Sequence, residues 1–121
     1  MKRYLAVITV FYSLLLSGIG QAGDLSSFII FWAAFKSAVR AQDRERVASM
    51  TNLPFYFGES LDRDKYIKDY SRIFGPKIRT CLSREKPIPD GELYNVFCDA
   101  RVFRFAKING EWRLIESADM D

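Results

Sequence analysis

The sequence predicts an α+β fold in which N-terminal helices pack within a curved antiparallel sheet. Apolar residues recur at three- and four-residue spacing through the first two thirds of the chain, which is typical of amphipathic helices. From residue 93 onward, β-branched and aromatic residues nearly alternate with polar ones, which is typical of strands. Helices that precede a block of antiparallel strands define the α+β class.

Residues 1–22 have the three parts of a secretory signal peptide. Residues 1–3 form a basic start, and residues 4–16 are apolar apart from Thr9 and Ser13. Gly20 and Ala22 are the small residues of a cleavage site. A membrane anchor is the weaker interpretation, because spanning a bilayer takes about 20 apolar residues and glycines interrupt this run. We therefore expect one exported domain, residues 23–121, that is periplasmic or secreted and not inserted in a membrane.

Three helices are predicted after the signal. The first covers residues 25–41, where Phe, Trp, Ala and Val side chains form one apolar stripe. Asp43 is a candidate cap for a short second helix over residues 44–50. A third helix starts at Ser60 or Asp62 and stops before a Gly-Pro pair, and one or two further helical turns follow it.

The remaining elements are predicted to be strands and one loop. Residues 55–57 are expected to form a short strand closed by Gly58, and residues 83–91, with two prolines, a loop. Between the last two strands stands Asn109-Gly110, the strongest short sequence indication of a hairpin. The three C-terminal strands are predicted at residues 93–98, 101–108 and 112–117.

Cys81 and Cys98 are the two cysteines of the chain. In an exported protein such a pair is expected to form one structural disulfide. A redox site would favour a C-x-x-C spacing, which is absent. The pair therefore predicts that the segment after the third helix packs against the first strand of the C-terminal sheet.

Composition excludes several classes of function. The chain has no histidine, which removes Ser-His-Asp and Cys-His nucleophile pairs and histidine-ligated metal sites. Loss of Lys2 and Arg3 with the signal peptide lowers the formal charge from +3 to +1, and the remaining basic residues alternate with acidic ones. A nucleic-acid partner is therefore not expected. No cofactor or metal site is predicted.

Several apolar motifs together resemble a known superfamily. They are the pattern Phe28-x-x-x-Trp32-x-x-Phe35, then Asp43 followed by Val47-Ala48, and finally Gly110-x-Trp112-Arg113-Leu114. In this order they are similar to the nuclear-transport-factor-two-like (ketosteroid-isomerase-like, cystatin-like) superfamily over residues 25–119. The resemblance implies a cone-shaped sheet around a helix-lined cavity. The superfamily includes isomerases, dehydratases, cyclases and binding-only members, and the fold alone does not distinguish among these functions.

The predicted cavity mouth lies between Trp32, Tyr56, Tyr70 and Phe103. Trp and Tyr side chains combine an apolar body with one polar atom, as ligand pockets require. The alternative is a closed core in which these residues interlock. For an isomerase-type enzyme, the phenol would come from Tyr56, Tyr70 or Tyr94 and the carboxyl group from Asp99 or Glu116. No sequence spacing selects one combination of a tyrosine and carboxyl groups from these candidates.

Three hypotheses for function follow from these observations. The favoured one is an exported accessory domain without a catalytic set that binds a protein partner or a small apolar ligand. The second is a cavity enzyme of the ketosteroid-isomerase type that uses Tyr and Asp or Glu. The third is an immunity or inhibitor protein that neutralises a toxin in the same compartment.

Overall fold

The computed structural model describes residues 25–120, so the predicted signal peptide lies outside the described residues. The chain divides into two compact units, one that ends at Trp32 and one that begins at Ala33. The first helix, α1, covers residues 25–40, close to the predicted range. In the first unit, the rings of Phe28 and Phe31 lie 6.1 Å apart. The remaining helices and the strands belong to the second unit.

Two short helices begin at aspartate caps. Asp43 caps α2, Arg44–Ser49, and Asp62 caps α3, Arg63–Lys68. In each case the carboxylate accepts a hydrogen bond from the backbone N–H three residues later, which satisfies a helix donor that has no partner inside the helix. The cap predicted at Asp43 is confirmed. Of the two candidates for the third helix, Asp62 is the cap, whereas Ser60 lies in a strand.

The predicted third helix is divided into two. After α3 the chain turns at Asp69 and forms α4, Tyr70–Ile73. Aspartate disfavours a helix interior because its side chain competes for backbone hydrogen bonds, so a break at this residue is understandable. α5, Pro76–Arg84, then begins with proline, whose missing N–H would have no helical partner at that position.

A small hairpin lies between α2 and α3. Strand β1, Phe55–Tyr56, pairs antiparallel with β2, Ser60–Leu61, and Gly58 turns the chain with φ of 75°. Glycine adopts this left-handed conformation at little cost. The short strand and its glycine were predicted, but β2 was not, because two residues carry no alternation. We call these residues the β1–β2 hairpin.

The C-terminal half forms a four-stranded antiparallel sheet in the order β3-β4-β5-β6. The α+β class is therefore as predicted, with helices preceding the sheet. Asn109 and Gly110 both have positive φ, 52° and 81°, and join the last two strands as the predicted two-residue hairpin. The four strands are β3 Ile88–Asp90, β4 Leu93–Cys98, β5 Arg101–Ile108 and β6 Glu111–Asp119.

The loop predicted over residues 83–91 is wrong at both ends. α5 continues to Arg84, and β3 pairs with β4 through residues 88–90. The sequence predicted a loop here because proline has no N–H to donate to a neighbouring strand. β3 has a neighbour on one side only, and edge strands accommodate proline.

A β-bulge interrupts the regular alternation in β6. The register between β5 and β6 shifts at Ile115, so Leu114 and Ser117 share a face although they are three residues apart. Both are buried, opposite Phe105 and Phe103 respectively. Simple alternation would have placed Ser117 on the other face of the sheet.

The core of the second unit is an aromatic cluster between helices and sheet. The ring of Phe35, on α1, meets those of Phe105 and Phe74 edge-on, with centroids 5.2 and 6.2 Å away. Phe74 also contacts Tyr70, at 5.0 Å, and stacks on Phe103, at 6.0 Å. Such ring pairs stabilise a core beyond the area they bury. They hold the helices on the face of the sheet that carries Phe103 and Phe105.

Candidate functional site

Cys81 and Cys98 form the predicted disulfide, with Cα atoms 5.7 Å apart. Cys81 lies on α5 and Cys98 ends β4, so the bond ties the last helix to the sheet. Both cysteines are buried. The pair is well placed for a structural role.

The four residues predicted at a cavity mouth occupy different environments. Tyr70 and Phe103 are fully buried and both contact the ring of Phe74, whereas Tyr56 is 70% exposed. Trp32 is buried and ends the first unit. The structure thus brings Tyr70 and Phe103 together inside the core and places Tyr56 on the surface. Their positions match the closed-core alternative for Tyr70 and Phe103.

The hydroxyl group of Tyr70 is used inside the fold. It donates a hydrogen bond to the backbone carbonyl of Val39, 3.3 Å away. Burial raises the pKa of Tyr70, while the positive charges of Arg79 and Arg44 act in the opposite direction. The Arg44 guanidinium lies over the Tyr70 ring, 5.5 Å from its centroid. This tyrosine therefore joins α1 to α4 and is a poor candidate for a ligand contact.

The hydroxyl of Tyr66 makes a polar contact inside the core. Its hydroxyl oxygen lies 2.7 Å from Oγ1 of Thr51, whose own hydroxyl lies 2.8 Å from the carbonyl of Val47. Because threonine has one proton to donate and uses it toward Val47, the Tyr66 hydroxyl donates to Thr51. Burial raises the pKa of Tyr66 strongly.

A groove of about 400 Å³ lies where the β1–β2 hairpin faces β6. Tyr56, Phe57 and Gly58 form one wall, and Arg101 with residues 115–119 forms the other. We call this feature the β6 groove. Of the predicted cavity residues, Tyr56 lines it, and its exposed ring stands at the entrance.

Arg101, in the β6 wall of the groove, has contacts on several sides. Its guanidinium stacks on the ring of Phe57, 4.6 Å from the centroid. Its Nε donates to Oγ of Ser117 at 3.1 Å, and its Nη1 pairs with the carboxylate of Asp119 at 2.7 Å. Arg72 also lies over Phe57, at 5.7 Å. A guanidinium with partners in three directions is a rigid element of the surface.

Main-chain groups of β6 also face the groove. The N–H of Met120 bonds to the carbonyl of Ala100, on the side of β6 toward β5. Because backbone groups alternate in direction along a strand, those of Asp119 and Ser117 point away from β5. Both residues line the groove. Their N–H and C=O groups therefore lie on the outer edge of β6, which borders the groove.

Farther along the same edge, β6 already accepts an extended segment. The N–H of Leu114 bonds to the carbonyl of Met50 at 2.9 Å, and the carbonyl of Leu114 accepts from Asn52 at 2.8 Å. Thr51, between them, forms an isolated parallel bridge with Leu114. The outer edge of β6 thus has the geometry to bind extended chain.

The residues proposed for catalysis are only partly brought together. Tyr56 and Glu116 line the same groove, where Glu116 forms an ion pair with Arg104 at 2.9 Å. Tyr94 instead packs edge-on against Trp112, at 5.5 Å. Asp99 is exposed at the turn before β5, with φ of 54°. Oxyanion stabilisation relies on donors shielded from water, and Tyr56 is open to solvent.

Residues 25–120 contain neither a metal-binding cluster nor a membrane-spanning helix. No three cysteine or acidic side chains there lie close enough together to bind a metal ion. No helix in that part of the chain has both the length and the apolarity needed to cross a bilayer.

Comparisons with protein families, curated proteins and solved structures found no match to this chain. The function of the site is therefore inferred from the contacts of its residues. Sequence reasoning missed Phe57, Arg101, Ser117 and Asp119 because they meet only in the fold. The bulge at Ile115 sets Asp119 opposite Arg101, and Phe57 comes from the β1–β2 hairpin. Of the residues that line the groove, Tyr56 was predicted at a cavity mouth and Glu116 as a candidate carboxyl group.

Proposed function

We propose that the mature chain is an exported accessory domain that binds a segment of a partner protein in the β6 groove. The observation that carries this proposal is Tyr56, whose aromatic ring is 70% exposed beside a groove that ends at a strand edge. Exposed tyrosines next to preformed depressions are frequent centres of protein interfaces. Export agrees with the Cys81–Cys98 disulfide, because disulfides persist in oxidising compartments.

The ordered wall of the groove around Arg101 supports binding. Arg101 is fixed by Phe57, Ser117 and Asp119 before any partner arrives. A surface that is already ordered loses little conformational entropy on association, so more of the contact energy appears as affinity. Tyr56 adds a large contact area with few rotatable bonds.

A protein segment suits the groove better than a small apolar ligand. Small-molecule sites enclose most of the ligand surface and are mainly apolar. This groove is only partly enclosed, and Arg101, Glu116 and Asp119 contribute charged groups beside its apolar lining. The main-chain groups of Ser117 and Asp119 add hydrogen-bonding positions that an extended peptide can match.

The superfamily resemblance is consistent with this proposal but does not carry it. Binding-only members exist among the proteins that the motifs resemble, and the fold does not choose among activities. An inhibitor of a toxin would be one kind of protein-binding domain that uses the same surface. The enzyme hypothesis receives less support, because Tyr56 stands in open solvent and Tyr70 is engaged with Val39.

Site-specific photo-crosslinking tests the proposal in the producing cell. A photoreactive phenylalanine analogue replaces Tyr56 in one strain and Ile88 in another, since Ile88 is 52% exposed and lies outside the lining of the groove. We expect a discrete covalent complex from position 56 and none of the same mass from position 88. Equal labelling from both positions, or no adduct at position 56, would contradict the proposal.

A further inference from the structure

A second surface, centred on α5, is rich in basic residues. Over its nine residues α5 contains three basic residues, Lys77, Arg79 and Arg84, and no acidic one. Arg40, near the end of α1, lines a depression together with Arg79. We call these four residues the α5 basic face.

Several cations elsewhere in the second unit form ion pairs with nearby carboxylates. Examples are Arg101 with Asp119 at 2.7 Å and Arg104 with Glu116 at 2.9 Å. Among the described residues, no carboxylate lies within 4.0 Å of Arg40, Lys77 or Arg79. Arg84 reaches only its neighbour Glu85, at 4.0 Å. The positive charge of this face is thus largely uncompensated within the chain.

The face is shaped as two shallow depressions on either side of the helix. One, of about 250 Å³, is lined by Arg40 and Arg79, and the other, of about 320 Å³, by Lys77, Arg84 and Asp99. Pro76 and Thr80 line both, so they form the ridge between the two depressions. Depressions of this size accept single side chains of a partner.

The cationic side chains are the donors available to an incoming anion. The hydroxyl of Thr80 donates to the carbonyl of Pro76 at 3.0 Å, and that of Ser83 donates to the carbonyl of Thr80 at 2.7 Å. Each hydroxyl has one proton, which is therefore already used. Arg79 also donates from Nη1 to the carbonyl of Phe74 at 2.9 Å, and its remaining N–H groups stay available. Recognition therefore falls to the ammonium and guanidinium groups, whose preferred partners are carboxylates and phosphates.

We infer that the α5 basic face binds an acidic segment of a protein, at a site separate from the β6 groove. Charge complementarity is the argument, since this face presents four cations and few competing acids. Nucleic-acid sites commonly make about 6–10 phosphate contacts, more than four cations supply. Membrane-surface helices insert apolar side chains, and the large exposed apolar residues of the described chain all lie outside α5.

The disulfide anchors the helix that carries three of these cations. Cys81 lies on α5, lines the same depression as Lys77 and Arg84, and is bonded to Cys98 at the end of β4. The backbone carrying the cations is thereby anchored to the sheet. A fixed spacing of charges favours a partner with carboxylates at matching positions.

Titration of the mature chain with a synthetic peptide of alternating glutamate and serine tests this inference. Backbone amide shifts in the NMR spectrum locate the contact, and Kd is followed as ionic strength rises from roughly 0.03 to 0.3 M, over which charge screening strengthens. We expect shifts on α5 and around Arg40. We expect Kd to rise about tenfold or more with salt.

Matched charge reversals complete the test. Arg40→Glu and Lys77→Glu should each weaken binding about threefold to tenfold, whereas Arg63→Glu, an equal charge change on exposed α3, should leave Kd within about twofold. Arg40→Gln and Lys77→Gln repeat the comparison without adding negative charge, in case a reversal impairs folding. Absence of peptide binding, equal loss with Arg63→Glu, or binding only to duplex DNA or phosphatidylglycerol vesicles would each overturn the inference.

Discussion

Replacing Thr51 with valine should destabilise the protein more than removing the hydroxyl of its partner, Tyr66. The Tyr66 hydroxyl donates to Thr51 over 2.7 Å, and both residues are buried. Thr51→Val leaves that donor without an acceptor, which costs about 1–3 kcal/mol. The carbonyl of Val47 keeps a partner, because it also accepts from the N–H of Met50 at 3.1 Å.

Tyr66→Phe removes the donor itself and should cost only about 1 kcal/mol. Thr51 then still donates to Val47 over 2.8 Å, so no buried proton loses its acceptor. The double variant should be no less stable than Thr51→Val alone, since the orphaned hydroxyl is gone. Its coupling energy isolates the hydrogen bond from the loss of packing.

Urea unfolding of the oxidised mature chain, followed by circular dichroism, measures these differences. Thr51→Ser is the matched control, because it keeps the hydroxyl while losing one methyl group. A free energy of unfolding that falls more in Tyr66→Phe than in Thr51→Val would refute the assigned direction of the hydrogen bond. Additive effects in the double variant would refute the coupling.

Two further predictions concern the disulfide and alkaline pH. Replacing Cys81 and Cys98 together with alanine should lower the free energy of unfolding by about 3 kcal/mol, given the 17-residue separation, and unchanged stability would contradict a structural role. Burial raises the pKa of Tyr66 above its usual 10.0, so only the unfolded chain ionises there just above pH 10. The contribution of Tyr66 to the free energy of unfolding should be fully present below that pH. Above it, this contribution should fall by up to about 1.4 kcal/mol per pH unit. Unfolding titrations with Tyr66→Phe should show a shallower decline, and an unchanged slope would contradict this assignment.

The C-terminal strands were predictable because their residues express a strong local pattern. Alternation and the Asn109-Gly110 turn located β4 and β5 at the bounds observed in the structure. β3 was missed because Pro89 argues against a strand unless the strand is known to lie at an edge, and edge position is a tertiary property. The α3–α4 break at Asp69 was missed because apolar spacing continues across it from Tyr66 to Tyr70.

The candidate site was less predictable than the fold. Tyr56 was named from sequence, but together with Tyr70 and Phe103, which the structure places in the core. Composition identifies aromatic residues and does not distinguish a ring that fills a core from one that borders a groove. The position of Ser117 beside Arg101 depends on the bulge in β6, which no local pattern revealed.

The α5 basic face shows a different limit of sequence reasoning. The sequence shows which residues of that segment are basic. Whether acidic side chains neutralise their charge depends on which acids lie close to them in the fold. Acids from neighbouring segments neutralise cations on α3 and β5, as the Lys65–Glu59 and Arg101–Asp119 pairs show. On α5 the nearest acids lie at Glu85 and Asp99, so the average charge of the chain conceals a local excess.

The most direct test of the proposed function compares stability and partner binding in Tyr56→Ala. Because Tyr56 is 70% exposed, its truncation should change the free energy of unfolding by no more than about 0.5 kcal/mol. Calorimetric titration with the partner captured at position 56 should show Kd raised about tenfold or more, as expected for an interface aromatic, while Ile88→Ala binds like wild type. Unchanged affinity in Tyr56→Ala, or an equal loss in Ile88→Ala, would contradict the assignment of the β6 groove as the binding site.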